Sequence, residues 1–220
     1  MICVISGGYL TYEKVNNNII FKLINKDKNE ALLKEVPYCD YMDLAVVFYL
    51  FLPEYTTDKG MATVPVTNEM LEEWRVETED LMVRALENTP RLLGLQIRGI
   101  LTTIASYIGD KELEDIARTE DEYNPLYVAT NNLKNNGAAV ILYKDMLRAF
   151  SARKKSDIYV IPCSIHEVIL LTSQDCIGMD VEELKKMIHT VNETELTEDD
   201  ILSDSLYFYS RENDKLSLVS

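Results

Sequence analysis

Apolar and polar positions alternate along the chain in short blocks with two different periods. Between residues 10 and 36 a strand-like entry leads into Ile19, Ile20, Leu23, Ile24, Ala31 and Leu32 at near-helical spacing, so a helix closed by Pro37 is predicted there. Residues 44–52 form an unbroken apolar run rich in β-branched and aromatic side chains. Its length suits a buried strand, although periodicity by itself leaves a buried helix open. Turn-forming residues at 56–60 allow 61–66 to return as the second strand of a hairpin, with Pro65 confining it to an edge.

A helical region is predicted next. Thr67 or Asn68 can cap a helix over 69–74, and Thr78 a second one carrying Leu81, Met82, Ala85 and Leu86 on one face. Pro90 is expected to separate this from a third helix over 92–108, apolar on two sides and therefore buried. Residues 111–122, rich in carboxylates, read as a solvated helix plus loop. A strand is predicted over 126–130, an asparagine-dense turn over 131–137 and a helix over 138–152. Residues 157–162 and 166–172 form the clearest strand pair, Asp180 opens a further helix, and the tail from Ser205 reads as a hairpin. Helices and antiparallel-compatible strands interleave without a βαβ rhythm, which predicts an α+β fold. A single domain over 1–220 is expected, with 1–122 and 123–220 as sub-lobes if it divides.

Composition narrows the class. At 220 residues and 47% hydrophobic side chains, the chain can bury a sizeable core. No window approaches the roughly 18 apolar residues of a membrane span, and the start lacks the basic region of a signal peptide, so the expected compartment is the cytoplasm. Cys3, Cys39, Cys163 and Cys176 have no repeated spacing and read as free thiols of a reducing compartment. A net charge of −15 repels nucleic acid and anionic lipid, so direct binding to either is not expected. It fits a merely soluble surface, or one that imitates nucleic acid and meets a basic partner.

Several strings carry a resemblance when taken together. They are Lys22-Leu-Ile-Asn25, Lys28-Asn-Glu30, Leu33-Lys-Glu-Val-Pro37, Met42-Asp-Leu-Ala-Val-Val47 and Glu87-Asn-Thr-Pro90. Further on come Tyr127-Val-Ala-Thr-Asn131, Asn136-Gly-Ala-Ala139, Ile165-His-Glu-Val-Ile-Leu170 and Leu202-Ser-Asp-Ser205. In order and spacing the chain resembles an uncharacterised bacterial family common in gut anaerobes, from about Tyr9 onward. The resemblance implies that an N-terminal segment of longer members is lacking here. It also implies a Pro-Ser-Ser-Ile-His-Glu pattern where this chain has Pro162-Cys-Ser-Ile-His-Glu167. A family without a known activity transfers no catalytic residues.

Candidate chemistry gathers at Cys163, Ser164, His166 and Glu167, where a thiol and an imidazole can act as nucleophile and base. Cys163, His166, Cys176 and His189 would make four zinc ligands, but their spacing matches no established pattern, so no metal and no cofactor is expected. The plainer reading lets His166 and Glu167 open a strand and satisfy local hydrogen bonds. Asn131, Asn136 and Gly137 could offer backbone N–H groups to an anion, yet turn chemistry accounts for them. A basic run, Lys144, Arg148, Arg153, Lys154 and Lys155, would place 144, 148 and 155 on one helical flank, where a second copy could dock as a homodimer. Carboxylates form the clearest candidate surface: Glu112, Glu114, Asp115, Glu120, Asp121 and Glu122, then Glu195, Glu198, Asp199 and Asp200. With no complete catalytic set, the leading expectation is a non-enzymatic protein-binding module. Its sharper form is a mobile-element or phage factor aimed at a basic nucleic-acid-handling or defence enzyme. The alternatives are a small hydrolase or ligand-binding enzyme using His166 and Glu167, and a structural homodimer.

Overall fold

Two antiparallel sheets carry the chain in the computed structural model, which describes residues 11–57, 60–162, 164–176 and 180–219. By internal packing it divides into two compact units, Met1–Gly94 and Leu95–Ser220. Antiparallel pairing throughout, with helices interleaved, makes the fold α+β as the sequence predicts.

In the first unit a short helix α1 (Tyr12–Val15) precedes strand β1 (Ile19–Asn25), followed by α2 (Glu30–Leu33), β2 (Tyr38–Tyr41), β3 (Leu44–Phe51), β4 (Thr63–Pro65), α3 (Asn68–Trp74) and α4 (Thr78–Leu93). Central β3 pairs with β1 along one edge and with β2 and then β4 along the other. Residues 44–51 are therefore a strand, and Pro65 stands on an edge strand as expected. The predicted helix through Ile19–Ile24 is overturned. These residues are buried on both faces of β1, and a continuous apolar run in such a strand mimics helical spacing. Within the predicted helix only Glu30–Leu33 is α-helical, and the expected strand-like entry is instead helix α1.

Edge strand β1 is closed by α4. Phe21 N–H donates to Thr89 Oγ1 at 3.1 Å, while Asn88 Nδ2 donates to Asn16 O at 2.7 Å and Ile19 O at 3.1 Å. Thr89 Oγ1 passes its own proton to Ala85 O at 2.7 Å. Side chains of a helix thus take over hydrogen bonds that a further strand would supply, and the edge offers no template for pairing. Pro90 does not end α4 as expected; it lies inside the helix. A proline there withdraws the N–H that would bond the carbonyl of Leu86. The caps are close to expectation: Thr67 accepts from Met70 N–H, and Glu77, one residue before Thr78, shares a reciprocal cap with Asp80.

The second unit comprises β5 (Gln96–Gly99), α5 (Ile100–Ile108), α6 (Lys111–Glu120), β6 (Leu126–Thr130), α7 (Met146–Lys154), β7 (Ile158–Ile161), β8 (Val168–Thr172), α8 (Val181–Glu195), β9 (Tyr207–Ser210) and β10 (Lys215–Leu218). Its six strands run in the order β10-β9-β7-β8-β6-β5. The β7–β8 pair and the β9–β10 hairpin form where predicted, and Asp180 caps α8. Two helices do not. Residues 92–108 are split because Gln96–Gly99 joins the sheet beside β6. Residues 138–152 are split because Gly137–Leu142 is a buried 3-10 turn, and Asp145 then reverses the chain at a φ of 59°. One core cluster joins Ile161, Leu171, Cys176, Leu184, Ile188 and Leu206. Among the described residues no helix is long and apolar enough to cross a membrane.

Candidate functional site

The segment before β8 is a junction of polar contacts. His166 and Glu167 precede the strand and do not open it. His166 Nδ1 accepts from Asn136 N–H at 3.3 Å, and Nε2 lies 3.2 Å from Asp200 Oδ1. An imidazole that accepts at Nδ1 carries its proton on Nε2 and donates there, so both ring nitrogens are committed. Thr130 Oγ1 donates to His166 O at 2.7 Å, His166 N–H donates to Ser164 Oγ at 3.0 Å, and Ala138 N–H to Ile165 O at 3.1 Å. Asp200 is held in turn by Thr197 Oγ1 at 2.8 Å. Cys163 lies outside the described residues.

The asparagine turn is consumed by its own geometry. Asn131 Oδ1 accepts from Leu133 N–H at 3.0 Å, and its Nδ2 donates to Asn135 O at 2.8 Å, an Asx turn. Asn136 is left-handed at a φ of 50°, which aims its N–H at His166. A Cβ on Gly137 would collide with the Thr130 hydroxyl and His166 O. The Asn136 N–H, one of the amides considered for an anion, is taken by the His166 ring.

A different surface stands out on α5 and α6, which pack against each other. Helix α5 turns Thr102, Thr103 and Ala105 inward and Ile104, Tyr107 and Ile108 outward, Ile108 being 65% exposed. On α6 the buried residue is Ala117, while Leu113 and Ile116 are exposed, Ile116 at 61%. An amphipathic helix ordinarily buries its large apolar side chains; here small ones are buried, Ile100 and Leu101 are half-buried, and the other large ones are displayed. Glu112, Asp115, Glu120 and Glu122 are exposed around them. Tyr107 O–H reaches Glu167 Oε2 at 3.5 Å, the outer limit of a hydrogen bond, linking α5 to the His166 junction.

Residues 5–211 match a family of unknown function, DUF5688. The chain belongs to that family. No curated protein and no solved structure matches it.

Within this DUF5688 chain the strings that carry the resemblance turn out to be joinery. Glu87-Asn-Thr-Pro90 closes the edge of β1, and the strings around Thr130, Asn136 and His166 meet at one junction. Leu202-Ser-Asp-Ser205 is tied in as well: Ser203 N–H donates to Pro162 O at 3.1 Å, and Asn192 Nδ2 bonds Ser203 O and Asp204 Oδ1 at 3.0 and 2.7 Å. The acidic candidates separate into two groups. Glu112, Asp115, Glu120, Glu122, Glu195, Glu198 and Asp199 are exposed and Glu114 half-buried. Asp121 is instead buried, its Oδ1 and Oδ2 accepting from Leu101 and Thr102 N–H at 2.9 Å each, so it caps α5 across the chain. Asp200 belongs to the His166 junction.

Cys176 is buried with Leu184 and Ile188, and its thiol, pushed above its ordinary range by burial and then by Asp175, donates weakly to Thr172 O. His189 is on an exposed face of α8 beside Glu193 at 3.2 Å, so the two residues point to different surroundings. The basic run does not share one helical flank: Lys144 precedes α7, Lys155 ends it, and Arg148 pairs with Asp145 and Asp214. Sequence reading missed the outward apolar residues of α5 because periodicity locates an apolar face without saying what covers it.

Proposed function

We propose that this DUF5688 protein is a protein-binding module whose contact surface is the α5–α6 hairpin. The observation that carries the reading is the inverted α5, with Ile104, Tyr107 and Ile108 displayed and Thr102, Thr103 and Ala105 buried. Exposed apolar side chains rimmed by polar ones are the usual anatomy of an interaction patch. Carboxylates border the patch alongside Lys111, Arg118 and Lys134, whose amine lies 4.4 Å from the Tyr107 ring centroid, and the chain carries −15 overall. The complementary partner is therefore a protein with an apolar contact bordered by lysine and arginine, the surface that nucleic-acid-handling enzymes present. A mobile-element or phage factor that blocks such an enzyme is the narrower form of the same proposal. For the enzymatic alternative at His166 and Glu167, both ring nitrogens already have partners, Asn136 N–H and Asp200, which favours a structural role.

The test is affinity capture from host lysate with and without nuclease, read by mass spectrometry, for wild type, Ile104→Glu/Ile116→Glu, and Val83→Glu on α4. The expected result is a basic protein retained after nuclease by wild type and Val83→Glu and lost from the double variant. Equal retention by all three overturns the surface. A wild-type dimer that the double variant converts to monomer, with no foreign protein retained, overturns the partner in favour of a second copy.

A further inference from the structure

In the 95–220 unit, a cleft of about 630 Å³ opens beside the start of α5, where α6, the following loop and the end of α7 come together. Its lining carries Arg98, Arg118, Arg153 and Lys154, and also Glu114, Glu122 and Asp121. The Asp121 charge is already matched by the two amides it caps. Its position requires Gly99, where a Cβ would collide with the carboxylate. Arg153 lies 5.4 Å from the Phe150 ring centroid. Lys154 lies 3.8 Å from the Tyr127 ring centroid and donates to the Tyr127 hydroxyl. Neither cation makes an ion pair among the described residues, and Arg118 has only an exposed contact to Asp115 at 3.7 Å, a kind that contributes little.

Four bases thus line one cleft; Arg98, Arg153 and Lys154 make no ion pair among the described residues, and Arg118 makes only that weak one. Glu114 and Glu122 share that cleft and likewise make no ion pair among the described residues. Both signs of charge therefore face the same space without neutralising each other, and the volume lies in the range of small-molecule sites. Arginine forks and an ammonium group suit a phosphate or carboxylate, and free glutamates accept from hydroxyl or amine groups. We propose that this cleft binds a small molecule with an anionic group, phosphate or carboxylate, held by Arg118, Arg153 and Lys154. Its hydroxyl or amine donors are directed to Glu114 and Glu122. Glu122 borders both this cleft and the hairpin surface, but the cleft proposal does not rest on that surface being a contact.

Isothermal titration of the full chain with inorganic phosphate, glucose 6-phosphate and citrate tests this. A chain of strong negative charge repels free anions, so saturable one-to-one binding of any of the three is informative. The expected result is binding of glucose 6-phosphate tighter than phosphate, weakened roughly tenfold or more by Arg153→Gln/Lys154→Gln and unchanged by Lys144→Gln/Lys155→Gln. Citrate bound in place of the phosphates, with the same response to the variants, assigns a carboxylate ligand to the cleft. Glu122→Gln should narrow the preference for glucose 6-phosphate over phosphate while its circular dichroism stays that of wild type. Absence of saturable binding by all three probes, or binding that Arg153→Gln/Lys154→Gln leaves intact, overturns the proposal.

Discussion

Lys22 is the residue whose position departs furthest from its chemistry. It sits on β1 at 8% exposure, its amine donating to Thr63 Oγ1 at 2.9 Å and lying 4.0 Å from the Tyr49 ring centroid, with no carboxylate beside it among the described residues. Burial lowers its pKa from 10.5 to about 8. Below pH 8 both folded and unfolded chains hold the proton, and the buried charge costs a constant amount, roughly 3 kcal/mol by the size of the shift. Between about 8 and 10.5 the unfolded chain holds more protons than the folded one, so this group makes stability rise with pH. Burial of Tyr41, whose pKa is pushed up to about 12, acts in the opposite sense above pH 10. Lys22→Met should therefore raise stability at pH 7 by up to a few kcal/mol, and the gain should shrink toward pH 10. Urea unfolding of both proteins at the two pH values decides it, and a gain that does not shrink would refute the assignment. Gly137→Ala should act the other way, lowering stability by about 1–3 kcal/mol because the added methyl has no room beside Thr130 and His166. Neither position was legible beforehand: a lysine within an apolar run and a glycine ending an asparagine turn look the same whether buried or solvated.

At the scale of elements, tertiary demand decided where local pattern was ambiguous. Residues 19–24 satisfied a helical spacing only because nearly every position is apolar, and pairing of Ile19–Asn25 with Leu44–Leu50 settles them as strand. Pro90 read as a terminator, yet α4 runs through it because Asn88 and Thr89 on the same turn are tied to β1. Thr89→Val removes the hydroxyl to which Phe21 N–H donates at nearly constant volume. It should cost about 1–3 kcal/mol, the usual penalty for a buried donor losing its acceptor. Glu87→Gln on the neighbouring exposed position should change little, and a thermal melt of the two variants compares them. Equal melting temperatures would mean that the Thr89 hydroxyl does not hold α4 to the edge of β1. Elements with strong local signals came out as read: Thr67 and Asp180 cap their helices, and β7 pairs with β8. A cap or a short hairpin is specified within a few residues, so no distant contact is needed to place it.

For the whole molecule, the charge of −15 and the displayed α5–α6 side chains set the expected behaviour toward a partner. Association with a basic-rimmed protein should be steered by long-range attraction. Raising salt from about 0.05 to 0.5 M should then slow the on-rate by roughly tenfold or more, with a much smaller effect on dissociation. Stopped-flow or surface-based kinetics measures both rates, and a salt-independent on-rate would leave the acidic rim without a role. The division into units Met1–Gly94 and Leu95–Ser220 follows from which strands share a sheet, and β5 joins β6 across a sequence separation that no local pattern spans. The residue order by itself determined the α+β class, the β7–β8 pair, the caps at Thr67 and Asp180 and the excess of carboxylates, because these depend on composition and on neighbours a few positions apart. Only the tertiary structure decided that His166 is bonded at both nitrogens, that Asp121 leaves the acidic surface to cap α5, and that large apolar side chains of α5 face outward. Each of those depends on groups dozens of residues away, and burial and hydrogen-bond pairing exist only once the chain has folded around them.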